Sequence, residues 1–170
     1  MITRWLARGR VGLGFVFAAI VLWLATPTAL SLAAGASIAA LGEAVRLWAA
    51  GHVEKSREVT RSGPYRHTRH PLYLGSTLIG VGLVVVANHA AVALLVACYL
   101  AATLTAAMRS EEAHLREKFG DAYDAYAERR AEPMDRDFSW ARARRNREHQ
   151  TIVGLVLGLI ALAIKAAFAA

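Results

Sequence analysis

The stretch Gly63-Pro64-Tyr65-Arg66-His67-Thr68-Arg69-His70-Pro71-Leu72-Tyr73-Leu74-Gly75 stands between two strongly apolar blocks, and its reading decides the fold. Its thirteen residues include two each of glycine, proline, tyrosine, arginine and histidine. Charge and interrupted backbone at this density are costly in hydrocarbon, so the stretch does not face lipid. It also carries more aromatic and guanidinium groups than a solvated loop needs. The reading is a polar pocket at the mouth of a helix bundle. Pro71 suits a first helical turn, where no backbone donor is required. Arg69 and His70 therefore precede a helix start, whose unpaired N–H groups and positive dipole end favour a ligand carboxylate.

Outward from this stretch the chain is apolar. Of its 170 residues 56% are hydrophobic, above the usual soluble share, and several runs are long enough to span a bilayer. The expectation is an all-α integral membrane protein, one domain over 1–170, with five transmembrane helices at about 11–25, 29–50, 71–87, 90–108 and 151–168. Segments 51–70 and 109–150 are then cytoplasmic. Thr26-Pro27-Thr28 and Asn88-His89 are the short turns of the opposite side. Glu43 and Arg46, three residues apart, share a helix face and offset each other's burial. After Met108 the pattern becomes amphipathic: Leu115, Phe119, Tyr123 and Tyr126 recur at helical spacing. A helix, or two broken at Gly120, is expected there, closing the bundle mouth. Cys98, the single cysteine, excludes a disulfide framework and reads as packing. Gly154 and Gly158 read as a helix-packing pair.

Charge sets the orientation. The segment before residue 11, the 51–69 stretch and the 109–150 stretch hold three, five and ten of the twenty Lys and Arg; only Arg46 and Lys165 lie elsewhere. By the positive-inside rule that side, with the N-terminus, is cytoplasmic. The net charge of +7 thus reports topology, and no nucleic-acid partner is expected. No metal site is expected either. His52, His67, His70 and His114 with Glu111 and Glu112 lack HExxH or CxxC spacing. GxSxG, GxGxxG and Walker sequences are absent, which argues against a soluble-type hydrolase or nucleotide fold.

Two clusters flank the third and fourth helices. One brings donors and cations: Tyr65, Arg69, His70 and Tyr73. The other brings Arg109 and the paired carboxylates Glu111 and Glu112. If those helices are antiparallel neighbours, the clusters meet at one height and can hold a zwitterionic amino-acid moiety.

The two runs that carry these clusters are Gly63-x-Tyr65-x-x-x-Arg69-His70-Pro71-x-Tyr73-x-Gly75 and Glu111-Glu112-x-x-Leu115-x-x-x-Phe119-Gly120-x-x-Tyr123-x-x-Tyr126, followed by Pro133. In this order they resemble the isoprenylcysteine carboxyl methyltransferases and their bacterial relatives and, more distantly, the phospholipid N-methyltransferases. The resemblance covers about residues 46–133. It implies S-adenosylmethionine bound inside a membrane bundle, lined by Val59, Thr60, Tyr65, Arg69, His70, Pro71, Leu72, Tyr73 and Glu111. It also implies a lipidic or prenylated acceptor arriving from the bilayer, with Arg109 as its cation. Arg57-Glu58 stand where the family carries other polar side chains. A carboxylate acceptor needs no base; an ammonium or alcohol does, and Glu112 is then the first choice. The competing readings are a non-catalytic membrane scaffold and an NADPH-dependent reductase of the sterol type.

Overall fold

The computed structural model describes residues 16–169. The first five residues of the expected first span, and Arg4, Arg8 and Arg10, lie outside the described residues. Within them the chain is helical over 16–24 (α1), Ala29–Ala50 (α2), Pro71–Ala87 (α3), Ala90–Phe119 (α4), Asp121–Ala127 (α5), Trp140–Arg145 (α6) and Glu148–Ala169 (α7), with a 3-10 turn at Gly63–Arg66. Three of these, α2, α4 and α7, are long and apolar enough to cross a membrane; α3 is apolar but has 17 residues. At 1.5 Å per residue α3 covers about 25 Å, a little short of a full hydrocarbon core.

The packing is that of helices in lipid. Leu30, Leu41, Leu74, Val81, Leu94, Val153, Leu157 and Ile160 point outward, while small residues are buried between helices. The tightest pair is α2 against α3. A Cβ on Gly35, Gly42, Gly75 or Gly82 would come within 2.4–2.7 Å of atoms of the facing helix. Without a hydrophobic drive between helices, close backbone approach supplies the contact. Gly154 and Gly158 differ: a Cβ on either meets nothing within 4 Å, so neither packs against the described chain. Cys98 is likewise exposed on α4, not packed.

The turns hold one end of the bundle together. Thr28 caps α2 in a reciprocal box with Ser31. Thr26 N–H donates to Ala87 O at 2.8 Å, and Thr26 Oγ1–H to Asn88 O at 2.9 Å. Asn88 adopts φ 50° and ends α3 as a left-handed cap. Lys165 Nζ donates to Leu22 O and Trp23 O at this same end.

At the other end Arg46 ties three helices. Its Nε and Nη2 donate to Glu148 Oε1 and Oε2 at 2.7 and 3.2 Å, Nη1 to Ser76 Oγ at 2.5 Å, and Nη2 to Thr151 Oγ1 at 3.3 Å. The expected Glu43 partner sits at 4.0 Å. Glu148, 102 residues away, is the stronger one because its carboxylate meets the guanidinium fork. Two boundaries also differ from expectation. The fourth helix does not end at Met108 but runs unbroken to Phe119, and the last begins at Glu148.

Candidate functional site

The site is built where α3 starts and α4 passes out of its apolar part. Pro71 occupies the first turn of α3 with His70 as N-cap. The His70 side chain makes no capping bond and is free to reach across to α4. Its Nε2 lies 2.8 Å from Glu112 Oε1, and Arg69 Nη1 lies 3.3 Å from the same oxygen. Arg116, one turn further along α4, stands 3.9 Å from Oε2. The cationic helix start and the acidic turn of α4 thus face each other.

Gly120 shapes the lid. Its φ of +48° belongs to a region that side chains disfavour, and it breaks the helix between α4 and α5. The chain doubles back, and Tyr123 and Tyr126 return over the mouth. Tyr123 is buried at 1% exposure, with Arg116 stacked 5.4 Å from its ring centre. Tyr126 O–H donates to Tyr65 O at 2.9 Å. Burial pushes the Tyr126 phenol up to about 12, and burial with the nearby Glu111 charge raises that of Tyr65 further. Both hydroxyls stay protonated, and that of Tyr126 acts as a donor.

The fourth side is the loop between α2 and the 3-10 turn. Ala49, Val53 and Tyr65 form a small core with Leu72. Gly63 takes φ +53°, and a Cβ there would come within 2.5 Å of the His52 ring, so glycine lets the loop close on itself. Burial opposes ionisation of Glu54, but a hydrogen bond from Arg142 and the charge of Arg145 hold its carboxyl below the usual range.

These elements enclose a hollow with about 680 Å³ of space free of protein atoms, its open mouth included. Of the expected residues Val59, Thr60, Tyr65, Arg69, His70 and Glu111 line it. Pro71, Leu72 and Tyr73 do not. Pro71 is buried in the helix start, and Leu72 O accepts from Ser76 Oγ at 3.0 Å. Tyr73 stands behind His70, ring centres 5.7 Å apart, with its hydroxyl beside Glu111. Glu112 is behind the wall, engaged by His70, Arg69 and Arg116. Arg109 is exposed on α4 outside the hollow. The wall also holds Val53, Glu54, Lys55, Ser56, Glu58, His114, Leu115, Tyr123 and Tyr126, which sequence reasoning did not place in the site. For Leu115, Tyr123 and Tyr126 a signal existed, the single apolar face of the amphipathic run. For Glu54 and Ser56 there was none.

The arrangement offers a free carboxylate, since Glu111 forms no ion pair among the described residues. It offers an orphaned donor or acceptor, because His70 Nδ1 is buried without a partner there. Val53, Val59, Leu115 and the tyrosines supply an apolar, aromatic slot. An amino acid joined to a flat heterocycle has this set of needs. Beside the hollow, α3 and α4 leave an apolar groove with about 910 Å³ of space free of protein atoms, open solvent included, lined by Val81, Val84, Val96, Leu100, Leu104 and Met108 among others. Among the described residues no group of three His, Cys, Asp or Glu converges as a metal site.

The family described as phospholipid methyltransferase matches over residues 10–122. The match takes in the N-terminal hairpin, which in sequence resembles the family only as generic helices, and stops within α5. A nickel-cobalt-cadmium resistance protein, NccN, of Alcaligenes xylosoxydans xylosoxydans is 35% identical over 97 residues, 56% of this chain. The chain spans 44% of that relative's length. No solved structure matches.

Proposed function

Because the chain belongs to the phospholipid methyltransferase family, we propose that it moves the methyl group of S-adenosylmethionine onto a lipophilic carboxylate, prenylated or lipidic, drawn from the bilayer. The family gives a membrane methyltransferase for lipid-type substrates; the cofactor, the acceptor and the residue roles are this reading's own. Bound S-adenosylmethionine supplies a methyl on a sulfonium, taken by an acceptor lone pair while the C–S electrons stay on sulfur.

The residues fit that group. Glu111, unpaired in the wall, takes the ammonium. His70 Nδ1 and the Arg69 guanidinium face the carboxylate from the start of α3. Tyr65, Tyr126, Val53, Val59 and Thr60, which line the hollow, would hold the base. Tyr73, Pro71 and Leu72 hold these groups from behind. Positioning and exclusion of water supply the rate, since the methyl is already activated.

One observation carries the choice of acceptor: Glu112 is already engaged by His70, Arg69 and Arg116. To serve as a base it would have to give up those contacts, and Glu111 is committed to the cofactor. An acceptor that arrives deprotonated needs neither. The groove between α3 and α4 suits its hydrocarbon chain, and Arg109, next to Met108 at the groove's polar end, suits its carboxylate. The unpaired Glu111 favours a second reading, in which it takes a proton from a phospholipid amine.

Two measurements test this. Purified protein in detergent is expected to bind S-adenosylhomocysteine, and Glu111→Gln to weaken binding by about tenfold or more, the scale of a lost charged hydrogen bond. Membranes given methyl-labelled cofactor are expected to yield lipid-soluble label released by alkali, as from a methyl ester. Alkali-stable lipid label would replace the carboxylate by the amine, and no binding at saturating ligand would remove the cofactor itself.

A further inference from the structure

The family match ends at residue 122, yet the segment after α5 is packed against the loop that lines the hollow. Past Pro133 the chain runs back along the loop that joins α2 to the 3-10 turn. Its backbone holds both ends of that loop. Met134 N–H donates to Arg61 O at 3.3 Å, and Ser139 N–H donates to Gly51 O at 3.1 Å. Between these points Arg136 sets its guanidinium on Glu58 as a fork. Nη1 lies 2.5 Å from Oε1 and Nη2 2.7 Å from Oε2, and Nη1 also donates to His52 O at 3.2 Å. Arg142 and Arg145 then converge on Glu54 Oε1 at 3.0 and 2.8 Å.

The loop needs such support. Residues 51–61 contain turns but no helix or strand, so no backbone ladder holds them. Ser56 sits at φ 55°, a conformation that costs a non-glycine residue energy and persists only when its surroundings impose it. Glu54, Glu58, Val59 and Thr60 of this loop face the hollow. The Arg136–Glu58 fork is also shielded, with side chains 19% and 28% exposed, and a planar two-bond pair fixes direction as well as distance. The nearby Arg130–Glu128 pair is different: it joins residues two apart at 64% and 60% exposure and holds nothing else.

We infer that Arg136 is a positioning residue: through Glu58 it keeps the 51–61 loop in the shape that lines the hollow, so that the strap 134–139 is a working part of the site and not only an anchor for α7. The inference rests on the cofactor reading for what the hollow receives, but the loop can be observed without it.

The test is amide hydrogen exchange on the full chain in detergent, with S-adenosylhomocysteine affinity measured alongside. Arg136→Gln is expected to speed exchange over residues 52–60 by about tenfold, leave α2 and α3 as in the wild type, and weaken the ligand by about tenfold. The exchanged pair Arg136→Glu with Glu58→Arg is expected to recover most of both, and Arg130→Gln to change neither. Wild-type exchange over 52–60 in Arg136→Gln overturns the inference. So does faster exchange spread equally over α2 and α3, or undiminished affinity where the wild type binds. If the wild type binds no S-adenosylhomocysteine, the proposed function falls, and the exchange comparison still decides whether Arg136 holds the loop.

Discussion

Arg46 shows how much one side chain holds at the polar end of the bundle. It lies in α2 at 18% side-chain exposure and meets Glu148, itself 3% exposed, as well as Ser76, Thr151 and Leu72 O. Removing one partner of a buried pair leaves the other uncompensated, which costs about 3–5 kcal/mol. Arg46→Ala is therefore expected to lower the thermal midpoint in detergent by many degrees. Arg46→Lys, which keeps charge but not the fork, is expected to lower it less. Equal midpoints for wild type and Arg46→Ala would refute this account. The sequence signalled part of this residue: Glu43, one turn away, was legible as a partner. Glu148 was not, because spacing along a helix says nothing about a residue that another helix brings alongside. His70 and Glu112 were legible as residues of facing clusters, yet the bond between them, with Arg69 on the same oxygen, ties up Glu112 Oε1, which changes what it can do.

Among elements, the pair α2 and α3 sets the frame on which the site hangs. Its glycines sit against backbone, not against flexible side-chain ends: a Cβ on Gly82 would lie 2.6 Å from Ala39 N and Gly35 O. Gly82→Ala must push the helices apart, and overpacking of this kind costs about 1–3 kcal/mol. Gly158→Ala meets open space and gains up to about 1 kcal/mol of helix propensity. Thermal midpoints of the two variants should move in opposite directions. A fall for Gly158→Ala as large as that for Gly82→Ala would mean that α7 has a partner helix at that face. In sequence the two sets of glycines look alike, since small residues at helical spacing mark where close approach is possible and not where it occurs. The length of α4 exceeds its apolar run for a related reason. Arg109-Ser110-Glu111-Glu112 ends the apolar run, but charged residues with good helix propensity continue a helix once it leaves hydrocarbon. The break comes at Gly120, where φ turns positive.

For the whole molecule, the bonds from Thr26 to Ala87 and Asn88 and from Lys165 to α1 gather one end. The cationic loops gather the other. Their contrast in Lys and Arg content predicts opposite sides of the membrane. In a Cys98→Ser background, an impermeant maleimide applied to intact cells is expected to label Asn88→Cys and not Arg130→Cys. The reverse pattern would invert the orientation; labelling of both would break the bundle's two-ended arrangement.

Local chemistry, read from the residues alone, determined that the chain is helical, that it belongs in a bilayer, and that a proline-led helix start and an acidic turn border its third and fourth apolar runs. Hydropathy, proline geometry and carboxylate spacing act within a few residues and leave their mark in order along the chain. Only the tertiary structure decided that Glu148 completes Arg46, that Glu112 is already engaged, and that residues 134–145 brace the loop at 51–61. Those contacts join positions some 40 to 100 residues apart, and their strength depends on burial and fork geometry that exist only once the helices have packed.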